Sequence, residues 1–331
     1  MKKFFTILIS LILIFSVCGC NKSNKTKIRV NEVTHSIFYA PFYVAIEKGF
    51  FEKENIEIEL TNGGGSDASM TALLSKSAEI VLLGPETGIY TQLGGASDQP
   101  VIFAQLTKRD GSFLISRENE ANFSWKNLEN KEVIAGRRGG MPAMALEYVC
   151  NQNNLFNGQN LTLNYDVQFA LTAAAFEGGT GDYVTMFEPT ASEYQRAGKG
   201  YIVASLGEAC GEVPYTCFMA LNSYFNSNQE TIKSFTKAIY NAIKYIEETD
   251  VKEVSKCLVE QFPSTSLQSI VDSLQSYKKI DAWKKNMAME KADFQRLQAV
   301  MKNAGELEKE ANFENLVNNS IAETMYQEIF N

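Results

Sequence analysis

The chain has 331 residues, 45% of them hydrophobic, and a formal net charge of −8, which suits two modest globular domains. An acidic chain without lysine and arginine clusters is a poor candidate for nucleic-acid binding. One histidine and the lack of a C-x-x-C pair exclude an ordinary zinc site, and we predict no metal or other cofactor.

The first residues predict export. Lys2 and Lys3 precede an apolar run over residues 4–17. That run is shorter than the roughly 20 residues that a membrane-spanning helix needs. The pattern is typical of a signal peptide, which we place at residues 1–19.

Residues 17–20, VCGC, resemble the bacterial lipobox, in which the last cysteine is lipidated. We therefore expect Cys20 to anchor the mature protein to the extracytoplasmic face of the cell membrane, with residues 20–27 as a polar tether. Export without a lipid is the alternative, because Cys18 is an unusual residue at its position of the lipobox.

Residues 27–60 predict a strand, a loop, a helix and a second strand. Pro41 suits the first turn of the helix, and Gly49 can let the chain turn out of it. The loop carries His35, followed by Phe38 and Tyr39. Such loops lie at the carboxyl ends of strands, so we expect this one to form a wall of a ligand cleft.

Two more loops of this kind follow. The glycine run at residues 63–65 leads to a helix that Ser66 or Asp67 can cap. After a short buried strand at residues 79–83, residues 84–87 (GPET) turn sharply into another helix. Each loop presents backbone N–H groups at a helix N-terminus, where a ligand oxygen or anion can bind.

A second set of units begins near residue 132. The predicted strands are residues 132–135, 161–167, 182–187 and 201–206, and the loops include GRRGGMP at 136–142 and Glu188-Pro189. Repeated strand, loop and helix predict an α/β fold. Residues 169–181 (FALTAAAFEGGTG) predict a short helix that ends in glycines.

From Pro214 the chain returns as a strand, and residues 228–331 predict helices almost throughout. One helix has an apolar face at spacings of three and four residues, formed by Ile232, Phe235, Ile239, Ile243 and Ile246. We expect this region to pack on the first lobe.

The two α/β halves predict a hinged clamp whose cleft buries a ligand. The chain crosses between the halves near residues 107–115 and 207–217. The expected boundaries are lobe 1 at residues 28–110, lobe 2 at 111–210, and the return strand with the helical C-terminal region of lobe 1 at 211–331.

Four cysteines remain after the lipobox: Cys150, Cys210, Cys217 and Cys257. Cys210 and Cys217 could form a disulfide in an exported protein. We favour buried free thiols, since cysteine is commonly a core residue.

Four stretches resemble, in order and spacing, the extracytoplasmic substrate-binding proteins of ABC importers. The similarity is to the group that contains nitrate, sulfonate and taurine receptors and the thiamine-pyrimidine receptors and synthases. The stretches are FYAPFYVAIEKGFFEKENIEIEL (38–60), GGGSDASMTALLSKSAEIVLLG (63–84), GGMP (139–142) and GDYVTMFEP (181–189).

This resemblance implies a two-lobed periplasmic-binding-protein fold of type II, in which doubly wound sheets are joined by a two-segment hinge. The helical C-terminal region would pack on lobe 1. The resemblance also implies a monomer that captures a small-molecule solute and delivers it to the permease and ATPase subunits of an ABC importer.

The resemblance also places the ligand among the loops described above. Carried over by position, the expected ligand-binding residues are His35, Phe38, Tyr39, Gly64, Gly65, Ser66, Pro85, Glu86, Thr87, Arg137, Gly139, Gly140, Glu188 and Tyr215. No catalytic residue and no metal ligand is expected.

Each assignment has a simpler alternative. His35 can hydrogen-bond a turn, and Phe38 and Tyr39 can belong to the core. Glu86 and Glu188 can each stabilise the positive end of a helix.

The ligand class depends on the direction of these carboxylates. A sulfonate, taurine or nitrate receptor needs several donors and no nearby acid, and the glycine loops with Arg137 supply donors. Arg137 and Arg138 are adjacent and should diverge, with at least one in solvent. If Glu86 and Glu188 face inward, they suit an amino-substituted heterocycle, such as a pyrimidine or thiamine precursor, stacked on aromatic rings. We expect the heterocycle.

Two other classes of function are less favoured. The thiamine-pyrimidine synthases share the fold, but they use a reactant histidine together with a cysteine-rich iron-binding segment. This chain has one histidine and no clustered cysteines, so we expect no enzyme activity. A surface adhesin would need exposed apolar patches, which a sequence does not reveal.

Overall fold

The computed structural model describes residues 25–168 and 171–331. The predicted signal peptide and Cys20 therefore lie outside the described residues. None of the helices in those two ranges combines the length and the apolar character that a membrane crossing needs.

The β-strands of the described residues alternate with helices along the first two thirds of the chain. They are β1 (Thr26–Glu32), β2 (Ile56–Asn62), β3 (Ile80–Leu83), β4 (Pro100–Thr107), β5 (Ser112–Ser116), β6 (Glu132–Ile134), β7 (Thr162–Asn164), β8 (Tyr183–Phe187), β9 (Tyr201–Ser205) and β10 (Thr216–Leu221).

The α-helices fill the intervals and the whole C-terminal region. They are α1 (Ala40–Glu47), α2 (Phe50–Lys53), α3 (Ser66–Leu74), α4 (Pro85–Leu93), α5 (Met141–Gln152), α6 (Thr172–Glu177), α7 (Thr190–Arg196), α8 (Leu206–Cys210), α9 (Asn222–Ser227), α10 (Gln229–Glu248), α11 (Val251–Cys257), α12 (Leu267–Lys279), α13 (Lys291–Asn303), α14 (Phe313–Leu316) and α15 (Ser320–Phe330). Short 3-10 turns occur at Ile37–Tyr39 and Trp125–Leu128.

The strands form two five-stranded sheets with matching topologies. The order is β2-β1-β3-β10-β4 in the first and β7-β6-β8-β5-β9 in the second. In each sheet one strand pairs antiparallel with both of its neighbours, namely β10 and β5. Each of these strands follows a crossing from the other lobe. The predicted two-lobed α/β fold is therefore confirmed.

The two crossing segments run side by side between the lobes. The backbone N–H of Val213 donates to the carbonyl of Lys108 at 2.9 Å, and that of Tyr215 donates to Thr107 at 3.2 Å. Two such segments allow one lobe to rotate against the other while the sheets stay intact.

The parallel strands of both sheets point their carboxyl ends at the space between the lobes. A strand that is buried on both faces has a continuous run of apolar residues. The strand β3 has the sequence IVLL and is buried along its whole length. The loops that follow β1, β2, β3, β6 and β8 therefore converge on one cleft.

The C-terminal region packs mainly on the first lobe. The five predicted apolar residues of α10 are all buried, with exposed fractions from 0% to 4%. The region also contacts lobe 2, which the sequence did not predict. Arg196 of α7 donates to Ser269 Oγ at 3.1 Å and pairs with Asp272, and Asn151 of α5 donates to Asn303 Oδ1 at 2.8 Å.

Two local predictions have different outcomes. Gly49 has a left-handed φ of 65°, as expected where the chain leaves α1. The prediction that Ser66 or Asp67 caps a helix is wrong, because the N-cap of α3 is Gly65 and no side chain makes the capping bond. The helix therefore begins at Ser66, directly after the glycine run.

All four cysteines of the described residues are free thiols. Cys150, Cys210 and Cys217 are buried, and Cys257 is partly exposed. Burial raises the pKa of the Cys150 and Cys210 thiols to about 12, which keeps them protonated.

Gly207 separates the two crossing segments, and we expect Gly207→Ala to destabilise the fold. A Cβ at this position would lie 2.2 Å from the backbone oxygen of Asp110, so the segments would have to move apart. Overpacking of this kind costs about 1–3 kcal/mol, measurable by urea unfolding. The matched control is Gly65→Ala, whose Cβ would have no neighbour within 4 Å. Equal stability of the two variants would contradict this prediction.

Candidate ligand-binding cleft

A cleft of about 580 Å³ lies between the lobes at the carboxyl ends of the strands. Most of the residues predicted for the site line it. They are His35, Tyr39, Gly64, Gly65, Ser66, Glu86, Arg137, Gly140, Glu188 and Tyr215. Their ligand contacts stay a prediction, but the structure brings them together around one space.

Four predicted residues lie outside the lining. Phe38 is fully buried below the cleft, with its ring 5.7 Å from the rings of Phe187 and Tyr215. The Thr87 hydroxyl donates a hydrogen bond to the Gly84 carbonyl at 2.7 Å. The other two are Pro85, the first residue of α4, and Gly139, whose carbonyl accepts from Tyr90. Backbone geometry explains Pro85, which suits the first turn of a helix, and Gly139, whose φ of 74° favours glycine.

Sequence reasoning missed other lining residues. Those within two residues of a predicted position are Val33, Thr34, Ser36, Ile37, Asn62, Gly84, Gly136, Met141, Pro142, Met186, Phe187, Pro189, Thr190 and Thr216. Thr172 and Ala173 belong to α6, and Phe262 and Thr265 come from the loop between α11 and α12. The residues near predicted positions could have been identified because they belong to the same cleft-facing loops. No local sequence pattern indicates Phe262 or Thr265.

Glu86 is a buried acid that lines the cleft with one carboxyl oxygen unpartnered. Only 2% of the residue is exposed, and its Oε2 atom has no hydrogen-bond partner. The carboxyl lies over Gly84, where a Cβ would come within 2.0 Å of Oε2. Burial raises the pKa of this carboxyl to about 8, and Arg137 and Asp67 shift it in opposite directions. Glu86 is therefore largely protonated at neutral pH.

Glu188 is buried but already engaged. Its Oε1 accepts from Ser192 Oγ at 2.7 Å and its Oε2 from the Ser192 N–H at 3.0 Å, in the first turn of α7. Its own N–H donates to the Tyr277 hydroxyl at 3.1 Å. The carboxylate thus stabilises the N-terminus of α7, although a carboxylate oxygen can accept a second bond from a ligand.

His35 lines the cleft with both ring nitrogens in hydrogen bonds. Nδ1 lies 2.7 Å from Glu32 Oε1, and Nε2 lies 2.9 Å from the Gln261 carbonyl. The bond to Glu32 raises the pKa of the imidazole against the opposing effect of burial. The polar atoms of His35 therefore serve the protein's own structure.

Tyrosine phenols form part of the floor. Tyr39 and Tyr215 are 4% and 5% exposed, and burial raises the pKa of both, so they stay neutral.

Asp110 lies in the first crossing segment, where its Oδ1 accepts from the N–H and the hydroxyl of Ser112, each at 2.6 Å. Burial raises the pKa of Asp110 to about 6.

Arg137 and Arg138 diverge as predicted. Arg137 crosses to the first lobe and donates to Asp67 Oδ2 at 2.6 Å, while Arg138 lies over the Tyr165 ring at 4.6 Å. Asp67 belongs to the first turn of α3. The arginine that reaches the cleft is thus paired with an acid, and this contact joins the two lobes.

Carboxylates occupy most of the helix N-termini around the cleft. Asp67, Glu86 and Glu188 lie at the starts of α3, α4 and α7. The start of α5 differs, because its N-cap is Gly140 and its first turn holds no acid. Among the described residues, no group of three or more His, Cys, Asp or Glu side chains could hold a metal ion.

Comparisons with known proteins agree with this architecture. The model of the NMT1-like family matches residues 21–259. A Bacillus subtilis (strain 168) protein named "Putative binding protein YtlA" is 42% identical over 320 residues, which cover 96% of each chain.

Two solved structures have a similar fold. The alkanesulfonate-binding protein SsuA from Xanthomonas axonopodis pv. citri, bound to MOPS, has a TM-score of 0.72 at 16% identity, covering 89% of this chain and 98% of its own. The nitrate-binding protein NrtA from Synechocystis PCC 6803 has a TM-score of 0.73 at 14% identity, covering 92% of this chain and 89% of its own.

Proposed function

Because the chain belongs to the NMT1-like family, we propose that it is an extracytoplasmic solute-binding protein of an ABC importer. It captures a small molecule between its lobes and delivers it to the permease and ATPase subunits. The 42%-identical relative named as a binding protein supports this, as does the fold shared with sulfonate and nitrate receptors. The two-segment connection between the lobes suits a clamp that closes on its solute.

The solute we propose is an amino-substituted heterocycle, such as a pyrimidine or a thiamine precursor. The observation that carries this choice is Glu86, a buried carboxyl with an unpartnered oxygen. A protonated carboxyl offers one O–H donor and one acceptor. A ring nitrogen beside an exocyclic amine offers the complementary pair, so both partners stay neutral and no isolated charge is buried.

Aromatic side chains support the same class. Tyr39, Phe187, Tyr215 and Phe262 line the cleft and present faces or edges to a flat ring. Burial of a heterocycle among them adds apolar contact to the polar pair at Glu86.

A simple anion is the second candidate, and one observation favours it. The N-terminus of α5 at Gly140 is uncapped and carries no acid, and Arg137 lies beside it. An anion would still have to compete with Asp67 for the arginine. An anion oxygen can accept the O–H of a protonated Glu86, but a nitrate or sulfonate group has no hydrogen to donate to the other oxygen of the acid. The heterocycle therefore satisfies both oxygens of Glu86 and the simple anion only one.

A synthase-like enzyme is less well supported. The histidine that such an enzyme would use as a reactant is bonded through both ring nitrogens, to Glu32 and to Gln261. We propose a receptor without catalytic activity, and a monomer that Cys20 tethers to the membrane surface.

A thermal-shift screen of the chain from residue 21 tests the proposal. We expect 4-aminopyrimidines to raise the melting temperature, because saturating ligand at about 100 times its Kd stabilises a fold by roughly 2.7 kcal/mol. The control compounds are the same rings without the exocyclic amine, which should shift the protein less. A response only to sulfonates, taurine or nitrate would overturn the heterocycle assignment, and a response to no small solute would contradict the receptor function.

A further inference from the structure

The hydrogen bonds of His35 fix its protonation state by geometry. Both partners, the Glu32 carboxylate and the Gln261 carbonyl, are acceptors, at 2.7 and 2.9 Å. A neutral imidazole carries one N–H and satisfies one of them, whereas an imidazolium donates to both. With Glu32 ionised, both contacts are hydrogen bonds only when the ring is charged.

The surroundings of Glu32 also require that charge. Glu32 is 1% exposed, and its second carboxylate oxygen accepts from the Tyr43 hydroxyl. The Tyr43 oxygen in turn accepts from the Ser36 N–H at 3.2 Å. Among the described residues, His35 is the cationic side chain bonded to Glu32. A buried carboxylate without a cation is costly, so the imidazolium stabilises it.

The second hydrogen bond of His35 connects it to a part of the cleft that is distant in the sequence. Gln261 lies in the loop between α11 and α12, and the next residue, Phe262, packs its ring 4.6 Å from the imidazole and 5.3 Å from Tyr43. Phe262 and Thr265 line the cleft. The Gln261 side chain donates to Glu47 Oε1 at 2.6 Å.

We propose that His35 is a positioning residue, held as an imidazolium, that fixes the loop of residues 261–265 as a wall of the cleft. Loss of the proton breaks one of its two bonds and releases this wall, so the shape of the cleft depends on pH. The inference goes beyond the proposed function and does not depend on the identity of the solute.

The direction of the pH dependence follows from the raised pKa of His35. The stability that the imidazolium contributes is fully present below the pKa of histidine in the unfolded chain, about 6.5. It is lost as pH rises through the higher pKa of His35 in the folded protein. We expect the wall to be ordered at pH 6 and more open at alkaline pH.

NMR of the ring nitrogens tests this directly, because the chain contains one histidine. The sample is the chain from residue 21 without a histidine tag. We expect two protonated ring nitrogens at pH 6 and a titration midpoint above about 6.5. Glu32→Gln should lower that midpoint. A single neutral tautomer at pH 6 would overturn the proposal.

Hydrogen exchange of the wall gives the second readout. The amides of Phe262 and Thr265 are protected by bonds to Leu258 and Phe262. His35→Gln should speed their exchange by about tenfold or more at pH 6, the effect of losing one charge-assisted bond, while α10 stays unchanged. Gln261→Ala is the matched control, because it keeps the carbonyl and should leave the histidine midpoint in place. Unchanged exchange in His35→Gln would overturn the positioning role.

Discussion

Phe38→Ala is expected to lower the free energy of unfolding by about 3–5 kcal/mol, the usual cost of removing a buried aromatic ring. Phe38 is 0% exposed and lies where the lobes and the crossing segments meet. Its ring centroid is 5.7 Å from that of Phe187 in lobe 2 and 5.0 Å from that of Tyr277 in α12. A Cβ on Gly111 would come within 2.6 Å of it. The cavity would therefore loosen both lobes at the hinge.

Chemical denaturation checks this prediction against two controls. Phe38→Leu keeps most of the buried volume and should cost less than Phe38→Ala. Phe156→Ala removes a ring that is 40% exposed and should stay within about 0.5 kcal/mol of the parent protein. If Phe38→Ala kept its stability and lost only solute affinity, Phe38 would be the ligand contact that the resemblance implied.

The sequence alone was sufficient to predict the family and the fold class. Alternating strands and helices predicted two α/β lobes, and the four motif stretches indicated the family, which the match over residues 21–259 confirms. The apolar spacing in α10 identified its buried face. The alternation of strands and helices and the apolar spacing of a helix are regular along the chain, so they can be predicted from local sequence patterns.

The direction of each side chain within a loop was harder to predict. Phe38 and Tyr39 are consecutive residues of one 3-10 turn, yet Tyr39 lines the cleft while Phe38 lies beneath it. Glu86 and Thr87 differ in the same way at the start of α4. Neighbouring residues of a turn point in directions about 100–120° apart, so a correct loop assignment still leaves the inward residue undetermined.

Contacts between distant segments were not predictable from local patterns. His35 meets Gln261 across 226 residues, and α12 and α13 reach lobe 2 through Asp272 and Asn303. The sequence assigned the helical region to lobe 1 alone, because an amphipathic pattern shows that a face is buried without naming what covers it.

Glu86→Gln is expected to stabilise the protein at alkaline pH and to keep most of its affinity for an amino-substituted heterocycle. The folded pKa of about 8 lies above the ordinary carboxyl value, so the folded state holds a proton that the unfolded state releases. Glu86 therefore destabilises the fold increasingly from about pH 4.5 to pH 8. Glutamine removes this ionisation, and the variant should be more stable than the parent by on the order of 2–4 kcal/mol at pH 8, with no gain at pH 4.

The affinity for an amino-substituted heterocycle should fall instead in Glu86→Leu, by about 1–3 kcal/mol or roughly 5- to 150-fold. The glutamine amide keeps one N–H donor and one C=O acceptor for the ring nitrogen and its amine, whereas leucine offers neither. Glu129→Gln, at an exposed position, is the matched control and should change neither quantity. If Glu86→Gln instead strengthened sulfonate or nitrate binding, the acid would be excluding anions and the α5 N-terminus would be the main recognition element. A residue that lowers the stability of the fold and is needed for binding has a functional role that packing does not explain.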